Sequence, residues 1–420
     1  MRYAKVAVLA CAGALALAIT GCSSSGGGSG SSGGGTSATG PVTLDFPSWQ
    51  ENEPGYTQFY QSMVTQFEQA HKNVKIHFYE VTYDDYVQTI TTRMAAGDPP
   101  DILVLPLTSY AQFAAGGELT QLDSYLAKTD ILSSWSPLQK SLQVNGHYYN
   151  VLMQGAGFAL FVNKSILAAQ HLSIPTTVSS LLSECKQLTG GGNYGIAMPT
   201  AQDPSAFDDA SLFMVGEGQS VLNGTSYDLT SPGIETALTQ YRQLAGCAAP
   251  GLVSDQMRQL YFSGKAAMMF DGNFGLPAIE TEGTASVKKN TVMVSFPVPK
   301  QVSYVSSTLS IPASIPAADK TLAWEFIEQC TTSASQALFV KDIQSPAPRV
   351  SVDSSGNIPF APVQTAAVDG ANMIPSNPTF VENYTEIDTD FGAALTKLIA
   401  SNDAIGPVLT QLQPQLPPVG

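Results

Sequence analysis

The carboxylates of two short clusters are the side chains whose type and spacing first suggest chemistry. Glu51 and Glu53 lie in Trp49-Gln50-Glu51-Asn52-Glu53-Pro54, and Asp208 is followed directly by Asp209. Paired carboxylates can serve as acid and nucleophile in glycoside hydrolysis, but they must flank the bond with one pKa raised, which these stretches do not show. Ser183-Glu184-Cys185-Lys186 fits S-x-x-K, yet the companion S-D-N and K-T-G motifs of serine acyl-enzymes are missing. The G-x-S-x-G at Gly30 to Gly34 sits in a Gly/Ser run with no strand or helix to present a nucleophile. Thr189-Gly190-Gly191-Gly192 lacks the Gly-Lys-Ser/Thr ending of a phosphate loop. His71, His77, His147 and His171 are scattered, with no H-E-x-x-H and no paired C-x-x-C. No metal, no cofactor and no enzymatic activity are expected.

Charge and composition narrow the remaining classes. Charged residues make up 13% of the 420, about half the usual share, and the formal net charge is −15. Nucleic acid and anionic membrane surfaces are therefore excluded as partners by repulsion. A hydrophobic content of 44% fits a folded chain. The length exceeds one ordinary core, so two lobes are expected.

Residues 1–21 read as a signal peptide: Arg2 and Lys5 open it, and Val6 to Ile19 is apolar but too short to span a bilayer as a helix. Ile19-Thr20-Gly21-Cys22 resembles a bacterial lipobox, which makes Cys22 the lipidated residue. Residues 22–40 then form a Gly/Ser tether, which cannot bury apolar area. The mature protein is thus expected to be extracytoplasmic and anchored to the bacterial cell membrane through lipid.

The elements that must position any site are organised around Met94 to Leu105. Tyr86 to Met94 has helical spacing, Gly97 supplies a left-handed cap, and Pro99-Pro100 prevents resumption. Ile102 to Leu105 is an unbroken apolar run, as in a central strand of a parallel sheet. A strand over Val42 to Phe46, a helix from Tyr56 to His71 and a strand over Val74 to Tyr79 precede it. This β-α-β-α-β order predicts an α/β fold, with ligands at the carboxyl ends of the strands.

Several segments, in order, carry a family resemblance. They are Ala96-Gly97-Asp98-Pro99-Pro100-Asp101 with its apolar run, and Gly117-Glu118-Leu119-Thr120-Gln121-Leu122. Val162-Asn163-Lys164 follows, with Val162 where an aromatic is usual. Next come Phe262-Ser263-Gly264-Lys265-Ala266-Ala267-Met268 through Phe274, and Ala323-Trp324-Glu325-Phe326-Ile327. Together they resemble the extracellular solute-binding protein family 1, the maltose-binding-protein-like substrate-binding lipoproteins of sugar ABC transporters. That resemblance implies a two-lobed, type II periplasmic-binding-protein fold. Each lobe would be a mainly parallel sheet flanked by helices, and hinge crossovers would join the lobes. Lobe 1 is expected over 41–153 plus 305–355, and lobe 2 over 154–304 plus 356–420.

The same resemblance implies a carbohydrate ligand in the inter-lobe cleft, ABC permease subunits as partners, and a monomer. A secreted carbohydrate-active hydrolase and a surface adhesin lipoprotein are the alternatives. Stacking rings and fixed polar groups are what a sugar needs. The matching positions are Trp49, Glu51, Asn52 and Glu53 after the first strand, and Thr108, Ser109 and Tyr110 after the central one. Gln154 and Phe158 flank the first crossover, and Asp203, Phe207 and Asp208 follow the strand ending at Met198. Asp271, Asn273 and Phe274 follow Met269, and Phe380 and Tyr384 lie in a late helical stretch. The family topology also places Cys185 and Cys247 in one lobe and Cys330 in the other, so Cys185–Cys247 is the expected disulfide.

Overall fold

The computed structural model describes residues 40–223, 226–352 and 383–418, with side chains throughout except at 107–108, 303–305 and 384–385. The signal peptide, Cys22, nearly all of the tether, Phe380 and the boundary expected near 355 lie outside the described residues.

The chain opens with β1 (Val42–Ser48) and β2 (Val74–Glu80), paired in parallel from Val42 with Val74 to Ser48 with Glu80. Between them, the helix Tyr56–Ala70 buries Tyr56, Phe59, Tyr60, Met63 and Phe67 at spacings of three and four. The ring of Phe46 on β1 meets Tyr60 at 5.4 Å, Phe326 at 5.7 Å and Phe78 at 4.9 Å, so strand and helices share one aromatic core. The helix Tyr83–Ala95 begins with Asp84 and Asp85 and ends near Arg93, which suits the helix dipole. Gly97 takes φ +74°, the left-handed conformation expected of it.

β3 (Leu103–Leu105) is fully buried. Its ladder partner, however, is β10 (Ser303–Ser310), and the pairing is antiparallel. Toward β1, the N–H groups of Asp101 and Ile102 donate to the Asp45 carbonyl, and the Asp45 N–H donates to Asp101 Oδ2 at 2.7 Å. The polar loop expected after Pro106 is instead a helix, Leu107–Ala115.

β4 (Asn150–Asn163) is a 14-residue strand buried at every position. Its first part pairs with β10, from Asn150 with Ser310 to Gly157 with Ser303. Its second part pairs with β8 (Ala266–Gly272) from Phe158 to Val162, and with β9 (Thr291–Ser295) from Ala159 to Asn163. All these ladders are antiparallel, while β5 (Tyr194–Ala197) pairs in parallel with β8. A hairpin, β6 (Leu222–Asn223) and β7 (Ser226–Tyr227), stands apart. Among the described residues, parallel pairing is thus confined to β1–β2 and β5–β8, because the crossover strands run against their neighbours.

The apolar cores follow the same division. One draws on residues from Leu44 to Met153 and from Leu309 to Ile343. Another draws on Phe158 to Val302 and on Ile387 to Leu416, with a smaller cluster from Ala159 to Met293 beside it. The fold is two-lobed, and β4 passes from one lobe to the other. Asn273 fastens this crossing: its Oδ1 accepts from Gly157 N at 3.1 Å and its Nδ2 donates to Ser345 Oγ at 3.2 Å.

Cys185 and Cys247 touch within the second lobe, but as hydrogen-bonded thiols in place of the expected disulfide. Cys330 is a buried thiol in the other core. Burial pushes the Cys185 thiol well above its ordinary pKa, which keeps it protonated and slow to react.

Two outcomes follow. Asn273→Ala should cost about 1–3 kcal/mol in urea unfolding, since it strands a buried N–H and a hydroxyl. A loss below a few tenths would show that the crossing does not depend on it. Mild oxidation of the purified protein should join Cys185 to Cys247, lowering the intact mass by about two daltons while Cys330 still reacts with a thiol reagent after unfolding.

Candidate ligand-binding cleft

A short helical turn, Trp49–Asn52, follows β1 because Ser48 Oγ accepts the N–H of Gln50 at 3.0 Å. The turn sets Trp49 edge-on against Tyr83, at 5.5 Å, and Tyr86, at 4.8 Å. This face is the first lobe's contribution. From the second lobe come the helix Ser254–Phe262, the end of β8, and the turn Asn273–Gly275. Trp49, Glu53, Tyr83, Phe158, Asp208, Asp271 and Phe274 line one cavity between the lobes. A neighbouring cavity shares Trp49, Glu53, Tyr83 and Phe274 and adds Asn52 and Glu80.

Arg258 is the electrostatic centre of the cleft. Its Nε and Nη2 donate to Asp271 at 2.7 and 3.2 Å, a two-point contact that fixes both planes. Its Nη1 lies 3.6 Å from Glu53 on the opposite lobe and 3.7 Å from Asp255. The guanidinium also sits 5.7 Å from the ring centre of Phe274. One side chain therefore ties both walls together.

The floor on the second lobe is acidic. Asp203 Oδ1 accepts from Ser205 N and Oγ, at 3.0 and 2.6 Å, and its Oδ2 accepts from Ser254 N and Oγ, at 2.7 and 2.9 Å. It thereby fixes the starts of two helices. Asp388 accepts the N–H of Phe207 at 2.8 Å, and Asp208 and Asp209 lie in the first turn of the helix Ala206–Gly216. Burial, then the neighbouring carboxylates, push Asp209 and Asp388 well above the usual carboxylate range. Desolvation likewise raises Glu53 to about 7, against the opposing pull of Arg258.

The structure gathers Trp49, Asn52, Glu53, Phe158, Asp208, Asp271 and Phe274 around the two cavities. It places other expected residues elsewhere. Tyr110 and Ser109 are buried in the helix that replaces the expected loop, and the cleft wall does not include them. Phe207 packs edge-on against Phe391 in the core at 5.2 Å. Asp203 and Asn273 are used up in fastening backbone, as described. Gln154 accepts a hydrogen bond from Tyr56 Oη. Glu51 gives its carbonyl to Thr57 Oγ1 and does not line either cavity. The Thr108 and Tyr384 side chains lie outside the described ones.

Arg258, Asp255, Tyr83, Asp209 and Gln50 line the cleft without having been expected there as ligand contacts. Asp209 is visible in the sequence as half of a carboxylate pair, and Arg258 as a rare charge in a charge-poor chain, three residues after Asp255 on a helix.

Comparison with known proteins follows from this geometry. Residues 62–366 match the family model for bacterial extracellular solute-binding proteins, and the chain belongs to that family. A maltotriose-binding protein of Pyrococcus abyssi is 21% identical over 246 residues, 56% of this chain and 51% of that protein. An uncharacterized lipoprotein of Streptomyces antibioticus is 29% identical over 186 residues, 42% of this chain and 40% of that one. The matched stretch spans about half or less of either relative's length. The crystal structure of an ABC transporter solute-binding protein from Thermotoga lettingae, bound with α-D-tagatose, superposes with a TM-score of 0.78. That match is 17% identical and covers 90% of this chain and 99% of that one.

The raised Glu53 makes a pH prediction. A folded acid with a pKa of about 7, against its ordinary 4.5, adds stability that is complete below 4.5 and is lost as pH rises through 7. The Tm of the ligand-free protein should fall across that window, and Glu53→Gln should reduce the slope. An unchanged slope would mean that Glu53 titrates normally.

Proposed function

We propose that this chain is the extracytoplasmic, lipid-anchored substrate-binding component of an ABC importer. It binds a carbohydrate in the inter-lobe cleft and delivers it unaltered to the permease. The family and its two-lobed fold support the transport role. The observation that carries the carbohydrate reading is the cleft itself. Trp49 and Tyr83 from one lobe and Phe158 and Phe274 from the other line a cavity that also holds carboxylates and serine hydroxyls. Rings pack on the C–H faces of a sugar, and fixed acceptors take its hydroxyls. The maltotriose-binding relative and the tagatose-bound structure point the same way.

Because ligand contacts both lobes, it favours the closed state by its differential affinity for that state. The closed monomer then docks on the permease while Cys22 holds it at the membrane. Among the described residues no helix is long and apolar enough to cross a membrane.

A thermal-shift panel of mono- and oligosaccharides, polyols and amino acids tests the reading. At least one carbohydrate should raise Tm and be recovered unchanged; released product would favour the hydrolase. For the best hit, Trp49→Ala or Phe274→Ala should weaken binding roughly ten- to a hundredfold. Unchanged affinity in both variants would put the ligand elsewhere.

A further inference from the structure

The cleft holds more anionic than cationic groups. Glu53 faces Asp208, Asp209, Asp255 and Asp271 across it, and among the described lining residues Arg258 is the single basic side chain. That arginine is engaged already, by Asp271 on two nitrogens and by Glu53 and Asp255 at 3.6 and 3.7 Å. Asp209 is 7% exposed, and among the described residues its carboxyl group accepts from Ser205 Oγ at 3.4 Å and has no cation in ion-pair range.

A second observation points independently to a donor-rich guest. Gln50 lines the same cavity at 1% exposure, and its Oε1 is shielded from water with no hydrogen-bond partner among the described residues. A buried acceptor left unmet costs about as much as a lost hydrogen bond. A ligand that brings only donors to this spot satisfies it.

We propose that the ligand carries a protonated amine, held between the Asp208–Asp209 turn and the ring wall of Trp49 and Tyr83. Resting on the carbohydrate reading above, this names an amino sugar or amine-bearing glycoside as the substrate class. An ammonium group presents three donors and no acceptor, and its hydrogen bonds to carboxylates are about twice as strong as neutral ones. Aromatic faces attract it as well. A hydroxyl in the same place brings an acceptor of its own and adds no positive charge beside the carboxylates. Uronic acids and sugar phosphates meet like charge and are refused.

The test uses the full mature protein and three β-1,4-linked glucan series of one to four units. They differ at C2 alone, carrying an amine, an acetylated amine or a hydroxyl. Calorimetry and thermal shift should show the amine series binding at least tenfold more tightly than both others, with the advantage shrinking at high salt. Asp209→Asn and Asp208→Asn with Asp209→Asn should erase that preference. Asp255→Asn, with a side chain 62% exposed at the rim, guards against misfolding and should reduce the preference in part. Circular dichroism checks the fold of each variant.

Equal or tighter binding of the hydroxyl or acetylated series overturns the amine and leaves the carbohydrate reading intact. Binding of spermidine with no saccharide overturns the carbohydrate reading while keeping the demand for a cation. No shift with any of these probes overturns the proposal outright.

Discussion

A long strand that both lobes share, Asn150–Asn163, constrains much else in this molecule. It trades β10 for β8 and β9 between Gly157 and Phe158, so the two sheets meet where its partners change. A strand buried at all 14 positions cannot slip register without turning its whole side-chain set over. The cleft lies beside this crossing, lined by the turn after β1 and the end of β8.

Electrostatics then decides what the gap can hold. Buried carboxylates are tolerated only when paired, protonated or fastened to backbone. Each solution is visible here: Asp271 is paired with Arg258, Asp203 and Asp388 accept helix N–H groups, and Glu53 and Asp209 retain protons more readily than usual. Arg258 contributes in a different manner, since its contact with Glu53 crosses from one lobe to the other. Such a pair adds to the closed state only the energy it lacks in the open one.

Much of the scaffold was legible from local pattern. The helix over Val178 to Leu188 appears at those residues because Thr177 caps it and its apolar positions recur at helical spacing. The helix after β1 and the strand before Gly272 were legible for similar reasons. Pairing was not: nothing near Val104 announces an antiparallel partner about two hundred residues away at Leu309. The site divides along the same line. Trp49, Glu53, Asp271 and Phe274 sit at strand ends, where the fold alone puts ligands. Tyr110 lies in the core because the segment after β3 turns at once into a helix, and Phe207 because it sits in the first turn of the helix Ala206–Gly216. Arg258 matters through contacts across the cleft and Gln50 through an acceptor left unmet inside it, and no spacing along the chain encodes either.

The central claim is that two halves joined by a shared strand close on a guest held by both. Small-angle scattering of the mature protein, with and without the saccharide that stabilises it most, tests this directly. The account predicts a smaller radius of gyration on binding, and no such change in Trp49→Ala at the same ligand concentration. A profile that stays superimposable at saturation, with binding confirmed in the same sample, would contradict it.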